Sequence, residues 1–213
     1  MVKIMGITER HVRIYALVKI AVAIGLFITL PFIGTKKPVT DLVDIDSLCR
    51  VEVEENSWRQ IVIHHSATNG GDAQAFDTYH REKRKWANGL AYHFVIGNGS
   101  GSKDGEIEVG DRWTKQIHGA HTANMSINRI AIGICLVGNF EEEQAPTQNQ
   151  MKSLIRLVNY LSDRYHIPKS NLIKHNQVAQ KSTACPGKNF PFQTLLNGVS
   201  AFQVQAAQVH TKH

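Results

Sequence analysis

The most apolar stretch of the chain lies near its start, where Tyr15 to Gly34 is interrupted only by Lys19 near one end and Pro31 near the other. Ile20 to Ile33 spans 14 residues, the length of a signal-peptide core. Counted back to Tyr15, with Lys19 reaching to the interface, it approaches the roughly 20 residues a spanning helix needs. The following Phe32-Ile33-Gly34-Thr35-Lys36-Lys37 lacks an Ala-x-Ala pattern, which favours an uncleaved anchor over a cleaved signal. A buried core helix is the remaining alternative. Residues 1–35 are therefore expected to form a membrane anchor or signal peptide. Either form places the rest of the chain outside the cytoplasm, anchored at the cell envelope or exported.

Beyond this run the pattern changes. Residues 36–58 are polar and patchily acidic with no sustained period, and read as a linker or lead-in. Gln60-Ile-Val-Ile-His64 is a short β-branched run that predicts a buried strand. Asp72 to Trp86 has helical composition, with Ala75, Phe76, Tyr79 and Trp86 on the expected apolar face and a solvated charge run at 81–85. Leu90 to Ile96 predicts a second strand. The turn-rich Gly97 to Gly105 follows, with Glu106 to Val109 as its short return strand. Arg129 to Gly138 looks like a central strand buried on both faces. Thr147 and Gln150 form a capping-box pattern opening a helix through Met151, Leu154, Ile155, Leu157, Val158 and Leu161, bounded by Pro168. Leu172 to His175 reads as a last strand and Phe190 to Leu196 as a closing helix. Strands and helices mix without a repeating βα unit, so the expected class is α/β, a mixed central sheet flanked by helices.

Composition adds two exclusions. With 213 residues, 42% hydrophobic and 20% charged, the chain is neither disordered nor fibrous and holds one main core. Its net charge of +6 would suit a nucleic-acid binder. However, residues 1–37 hold six basic residues against Glu9, leaving everything after them within one charge of neutral. Basic residues around an apolar segment point to membrane targeting, with residues 1–13 on the cytoplasmic side, and no nucleic-acid partner is expected.

The candidate chemistry sits at strand ends. His64 and His65 end the first strand, His175 ends the last, and Cys185 follows ten residues later in Thr183-Ala-Cys-Pro-Gly187. Two imidazoles and one thiolate would give Zn²⁺ three protein ligands and leave its fourth position open, the arrangement of a catalytic site. No Cys-x-x-Cys or His-Glu-x-x-His pair fixes that geometry locally, so spacing alone leaves ordinary core and surface histidines as the alternative.

Five ordered blocks narrow the choice. Ile61–Thr68, Ala91–Phe94, Gly119–Thr122, Ile132–Asn139, and His175 with Thr183–Gly187 together resemble the zinc-dependent N-acetylmuramoyl-L-alanine amidases. This is the amidase-2 family, whose superfamily includes the peptidoglycan recognition proteins and T7 lysozyme. The resemblance covers residues 59–198 and leaves 199–213 as a polar tail. It implies the recognition-protein-like amidase fold, one zinc per chain held by His64, His175 and Cys185, and hydrolysis of the amide between N-acetylmuramic acid and L-alanine. Tyr92 falls on the family's active-site tyrosine, and Thr183 on an auxiliary polar position two residues before the cysteine. His121 matches a histidine at the edge of the substrate groove, and Trp86 lies near a groove tryptophan although it also suits helix packing. Relatives with a glutamate general base in the central strand would place it near Cys135, which lacks a carboxylate.

The implied partners are peptidoglycan or muropeptides, with the membrane engaged through the N-terminal segment and the protein a monomer. A non-catalytic peptidoglycan-binding module is the alternative, disfavoured because such relatives typically lack the metal-binding cysteine. His65 and His93, one residue from Tyr92 or a ligand position, are expected to pack on the opposite strand faces. Cys135 reads as a buried thiol, and nothing in the positions of Cys49 and Cys135 argues for a disulfide.

Overall fold

The computed structural model describes residues 44–199. The expected N-terminal anchor, the first part of the lead-in and the tail from 200 onward lie outside the described residues. Among the described residues no helix is long and apolar enough to cross a membrane.

Among the described residues five strands form one sheet: β1 (Gln60–His65), β2 (Phe94–Ile96), β3 (Ile107–Val109), β4 (Ala131–Leu136) and β5 (Leu172–Lys174). Their spatial order is β3-β2-β4-β1-β5. Only β3 runs antiparallel, as the return arm of the hairpin through the glycine-rich 97–105 turn. The others are parallel, with β4 central and β1 between β4 and β5. Parallel strands need crossover connections, and the helices supply them. These are α1 (Ile45–Leu48), α2 (Ala73–Glu82), α3 (Asp111–Thr114), α4 (Met125–Ile130), α5 (Gln148–Tyr165) and α6 (His175–Val178), with a closing helix over 192–199. The expected mixed sheet flanked by helices is the fold observed.

The two sheet faces are unequal. Ile61 and Ile63 of β1, Phe94 and Ile96 of β2, and Ile132, Ile134 and Leu136 of β4 point into the main core, where Leu154, Leu157, Val158 and Leu161 of α5 meet them. Each such leucine, fully buried, contributes about 1.5–3 kcal/mol. The alternate residues on the opposite face are small or polar: Ala131, Gly133 and Cys135 on β4, Val62 and His64 on β1. That face carries only a small apolar cluster of Leu90, Val95, Cys135 and Val137. The strand read as buried on both faces is therefore asymmetric, with bulky residues toward the core and a shallow floor on the other side.

The capping box forms as expected: Gln150 N–H donates to Thr147 Oγ1 at 3.0 Å, and Thr147 N–H donates to Gln150 Oε1 at 3.1 Å. Fully buried Gln150 also donates through Nε2 to the carbonyls of Ile96 (3.0 Å) and Val137 (2.9 Å), fastening α5 to the ends of the sheet. The helix stops at His166, which takes the left-handed conformation at φ 52°, two residues before Pro168.

Three readings are revised. Residues 44–58, expected as a lead-in outside the core, pack onto it. Cys49 and Trp58 are buried, Trp113 Nε1 donates to Cys49 O (3.2 Å), and Trp58 Nε1 donates to Gln116 Oε1 (2.8 Å). Glu55 pairs with Arg164 of α5 and accepts from the Tyr165 hydroxyl, anchoring the same segment. Second, α2 ends at Glu82 and turns a different face inward: Ala73 and Phe76 pack on the small cluster, while Tyr79 is half exposed. The cause is polar. Asp77 accepts the Leu90 N–H at 2.8 Å and His80 Nδ1 accepts the Ala91 N–H at 3.3 Å, so positions 73, 76, 77 and 80 face the domain. Third, the second strand is confined to Phe94–Ile96, and the closing helix begins after Phe190 and Pro191.

Candidate metal centre

β1 and β5 are hydrogen-bonded neighbours in parallel register, with Ile63 opposite Lys174. One residue further along stand His64, still in β1, and His175, the first residue of α6 directly after β5, with ring centroids 4.5 Å apart. Cys185 reaches them from the loop after α6. The Asn176 N–H donates to the Cys185 carbonyl (2.9 Å), the Cys185 N–H donates to Thr183 Oγ1 (3.2 Å), and the His65 N–H donates to Cys185 Sγ (3.3 Å). The ligand atoms of His64, His175 and Cys185 all lie within 4.8 Å of one another, and Cys185 Sγ is 3.7 Å from His64 Nδ1.

The electrostatics of this cluster are those of neutral donors. Burial, followed by the neighbouring His121 and His175, holds the His64 imidazole well below the ordinary histidine range. Burial lowers His175 as well. Burial pushes the Cys185 thiol up to about 12, opposed by the His65 amide. Metal-free, the three groups present two lone-pair nitrogens and a protonated thiol. An N₂S donor set on three protein groups fits a tetrahedral zinc with one open position.

Tyr92 stands beside the cluster, its ring 5.2 Å from that of His64. Burial and the thiols of Cys135 and Cys185 raise its phenol well above the ordinary value, so the hydroxyl stays protonated and able to donate. A groove of about 340 Å³ opens over the cluster, lined by Arg84, Trp86, Ala120, His121, Thr122, Ala123, His175 and residues 179–183 apart from Gln180. Trp86 stacks on His80 (centroids 5.0 Å apart, interplanar angle 21°) and borders the groove. A larger cavity of about 970 Å³, between α1 and α5, is lined by none of these residues.

His121 borders the groove but is only 5% exposed, its ring turned inward against His64, with Nδ1 3.0 Å from His64 Nε2 and Nε2 3.3 Å from the Ala131 carbonyl. His65 and His93 are packing residues, as expected: His65 Nδ1 accepts the Phe140 N–H (3.0 Å) and His93 Nδ1 accepts the Gly133 N–H (2.9 Å). Cys49, Cys135 and Cys185 are all free thiols.

Two supporting residues were not anticipated. Buried Arg112 donates from Nε to Leu90 O and from Nη1 to His118 O, each at 2.6 Å, tying the segment before Tyr92 to the segment before His121. Asn128 accepts the Thr122 N–H (3.1 Å) and donates to the Thr122 carbonyl (2.9 Å), fixing the turn after His121. Neither carries a local sequence signal, because both act on backbone groups brought near only by the fold.

Comparison with known proteins agrees with this arrangement. The family model described as N-acetylmuramoyl-L-alanine amidase matches residues 54–188. An endolysin of Enterobacteria phage K11 is 31% identical over 136 residues, which are 60% of this chain and 79% of that protein. Among solved structures, the N-acetylmuramoyl-L-alanine amidase LysC from Clostridium intestinale superposes with a TM-score of 0.58 at 37% identity, covering 68% of this chain and 87% of that one. Peptidoglycan recognition protein LE, solved with tracheal cytotoxin, a monomeric diaminopimelic acid-type peptidoglycan, superposes with a TM-score of 0.52 at 28% identity, covering 65% and 79%.

Proposed function

This chain belongs to the N-acetylmuramoyl-L-alanine amidase family, and from that premise we propose that it is a zinc-dependent hydrolase cleaving the amide between N-acetylmuramic acid and L-alanine in peptidoglycan. The observation that carries the reading is the convergence of His64, His175 and Cys185, whose donor atoms lie within 4.8 Å of one another beside Tyr92 and under a groove. Zinc bound there would supply Lewis acidity toward the scissile carbonyl and an acidified water at neutral pH.

The chain's own groups supply the rest. The Tyr92 hydroxyl, protonated in its buried setting, donates to the oxygen on which negative charge develops, an interaction stronger in the transition state than in the substrate. Cys135 is paired in register with His64 at the position where a carboxylate base would stand, so Tyr92, beside the cluster, is the group we assign to pass a proton. Thr183, held by the Cys185 amide, orients the substrate from the groove wall, and Trp86 offers an aromatic surface to its sugar or stem. The complex of a recognition protein with a muropeptide supports a ligand of that class in this groove. The N-terminal segment 1–35 is read as the device that delivers the domain to the cell wall, as an anchor or a cleaved signal.

The test is zinc content and release of L-alanine-linked stem peptide by the purified full chain, beside Cys185→Ala. About one zinc per chain, with activity lost on chelation and in the variant, is the expected result. Wall binding with neither zinc nor cleavage would replace this reading with that of a recognition module. Recovery of the intact chain as soluble cytoplasmic protein would remove the delivery role of residues 1–35.

A further inference from the structure

We propose that His121 is a positioning residue that fixes His64 in the tautomer bearing its proton on Nε2, so that the His64 Nδ1 lone pair is the one presented to a metal. The inference rests on the metal-centre reading above and deepens it.

The argument starts at a group that can only accept. The Ala131 carbonyl lies 3.3 Å from His121 Nε2, so that nitrogen carries the proton. A neutral imidazole protonated at Nε2 has its lone pair at Nδ1, and His121 Nδ1 is 3.0 Å from His64 Nε2. His64 Nε2 must then be the donor, leaving the lone pair of His64 on Nδ1, the atom 3.7 Å from Cys185 Sγ. The alternative, an N–H on both facing nitrogens, is repulsive at this distance. A relay running from a backbone carbonyl through one imidazole to another is the arrangement by which an outer residue orients a metal-ligating histidine.

The fold is built around this ring. A Cβ placed on Gly119 would lie 2.2 Å from His121 Cδ2, and one on Gly133 would lie 2.4 Å from the same atom. Gly133 sits inside β4 between two isoleucines, where glycine weakens a strand, and the slot for the imidazole is the return for that cost. His93 holds the Gly133 amide from the next strand, keeping the slot open. At 5% exposure His121 shows the groove only a sliver of its surface, while its ring nitrogens are engaged by His64 and the Ala131 carbonyl.

The test compares wild type, His121→Leu and His121→Asn as full chains, reading zinc affinity by chelator competition and histidine tautomers by long-range proton–nitrogen NMR. Asparagine places Oδ1 near the position of Nδ1 and can still accept from His64. His121→Leu is expected to weaken zinc binding by about 10- to 100-fold, with His121→Asn recovering most of the loss. In the metal-free wild type, His64 is expected to carry its proton on Nε2. This last readout needs no variant to fold. A His64 proton on Nδ1, or a folded His121→Leu with unchanged zinc affinity and only a raised KM, would overturn the proposal. A wild type that takes up no zinc would overturn the metal-centre reading itself, and would do so independently of the variant series.

Discussion

His64 Nδ1 faces Cys185 Sγ across 3.7 Å, although 121 residues separate them in the chain. The His65 N–H donates to that sulfur, while the loop is also tied by the Asn176 N–H to the Cys185 carbonyl, a backbone link that survives loss of the side chain. Cys185→Ala is therefore expected to leave the fold intact while removing one of three donors. Zinc content should fall from about one per chain to a trace, and hydrolysis should fall at least a thousandfold, on the order expected when a reaction loses its metal. Circular dichroism unchanged from wild type, together with metal analysis, checks both halves.

Zinc uptake should depend on pH through the thiol. Burial pushes Cys185 up to about 12, so it is protonated throughout the neutral range, and metal binding must displace that proton. His64 and His175 are shifted downward and already neutral near pH 7, so they release none. The sign follows: between about pH 6 and 7, affinity should rise about tenfold per pH unit as one proton leaves. Competition titrations at several pH values measure the slope, and a flat profile would show that the sulfur is not a ligand.

Tyr92→Phe should separate binding of the metal from chemistry. The phenol is raised by burial and by two nearby thiols, and in the proposed mechanism it is a hydrogen-bond donor and not a metal ligand. Zinc content should stay near one per chain, while kcat falls by about 10²–10³, the typical loss on removing one oxyanion donor. Loss of zinc in this variant would contradict the assignment.

Gln150 is a stability prediction away from the site. Its side chain satisfies the carbonyls of Ile96 and Val137 and the amide of Thr147, all from a fully buried position. Gln150→Leu fills the same volume and strands the Val137 carbonyl and the Thr147 amide, while the Ile96 carbonyl keeps the Val137 N–H at 2.9 Å. A loss of about 2–6 kcal/mol is expected, at about 1–3 kcal/mol per group left unpaired, read from urea unfolding of the metal-free chain.

Much of this was legible in the chain. The β-branched run ending at His64, the Thr147 and Gln150 capping pair and the ordered blocks reaching Cys185 pointed to the strand, the long helix and the cluster of His64, His175 and Cys185, because each is a local pattern or a motif. The run Ala131-Ile-Gly-Ile-Cys-Leu136 was legible only in part. Its alternation of small and large residues marks which face is the core and which must admit the His121 ring, but a generally apolar strand conceals that unless parity is followed. Cys49 and Trp58 are buried through hydrogen bonds to the 113–116 segment, about sixty residues away, and no local period reports such a contact. The inward face of α2 was misjudged because hydrophobic spacing favoured Tyr79, whereas the backbone amides of Leu90 and Ala91 recruited Asp77 and His80.

Two of the three donors ride on hydrogen-bonded strand ends, and the third arrives on a loop whose residues 180–182 are exposed. A zinc ion would thus be a clasp as well as a reagent, drawing that loop against the sheet and, with it, Lys181, Ser182 and Thr183, which form one wall of the groove. Stripping the metal would unfasten that wall, and trypsin should then cut after Lys181 faster than it does in the loaded protein. Metal starvation would in that case erase the substrate's seat along with the chemistry performed in it.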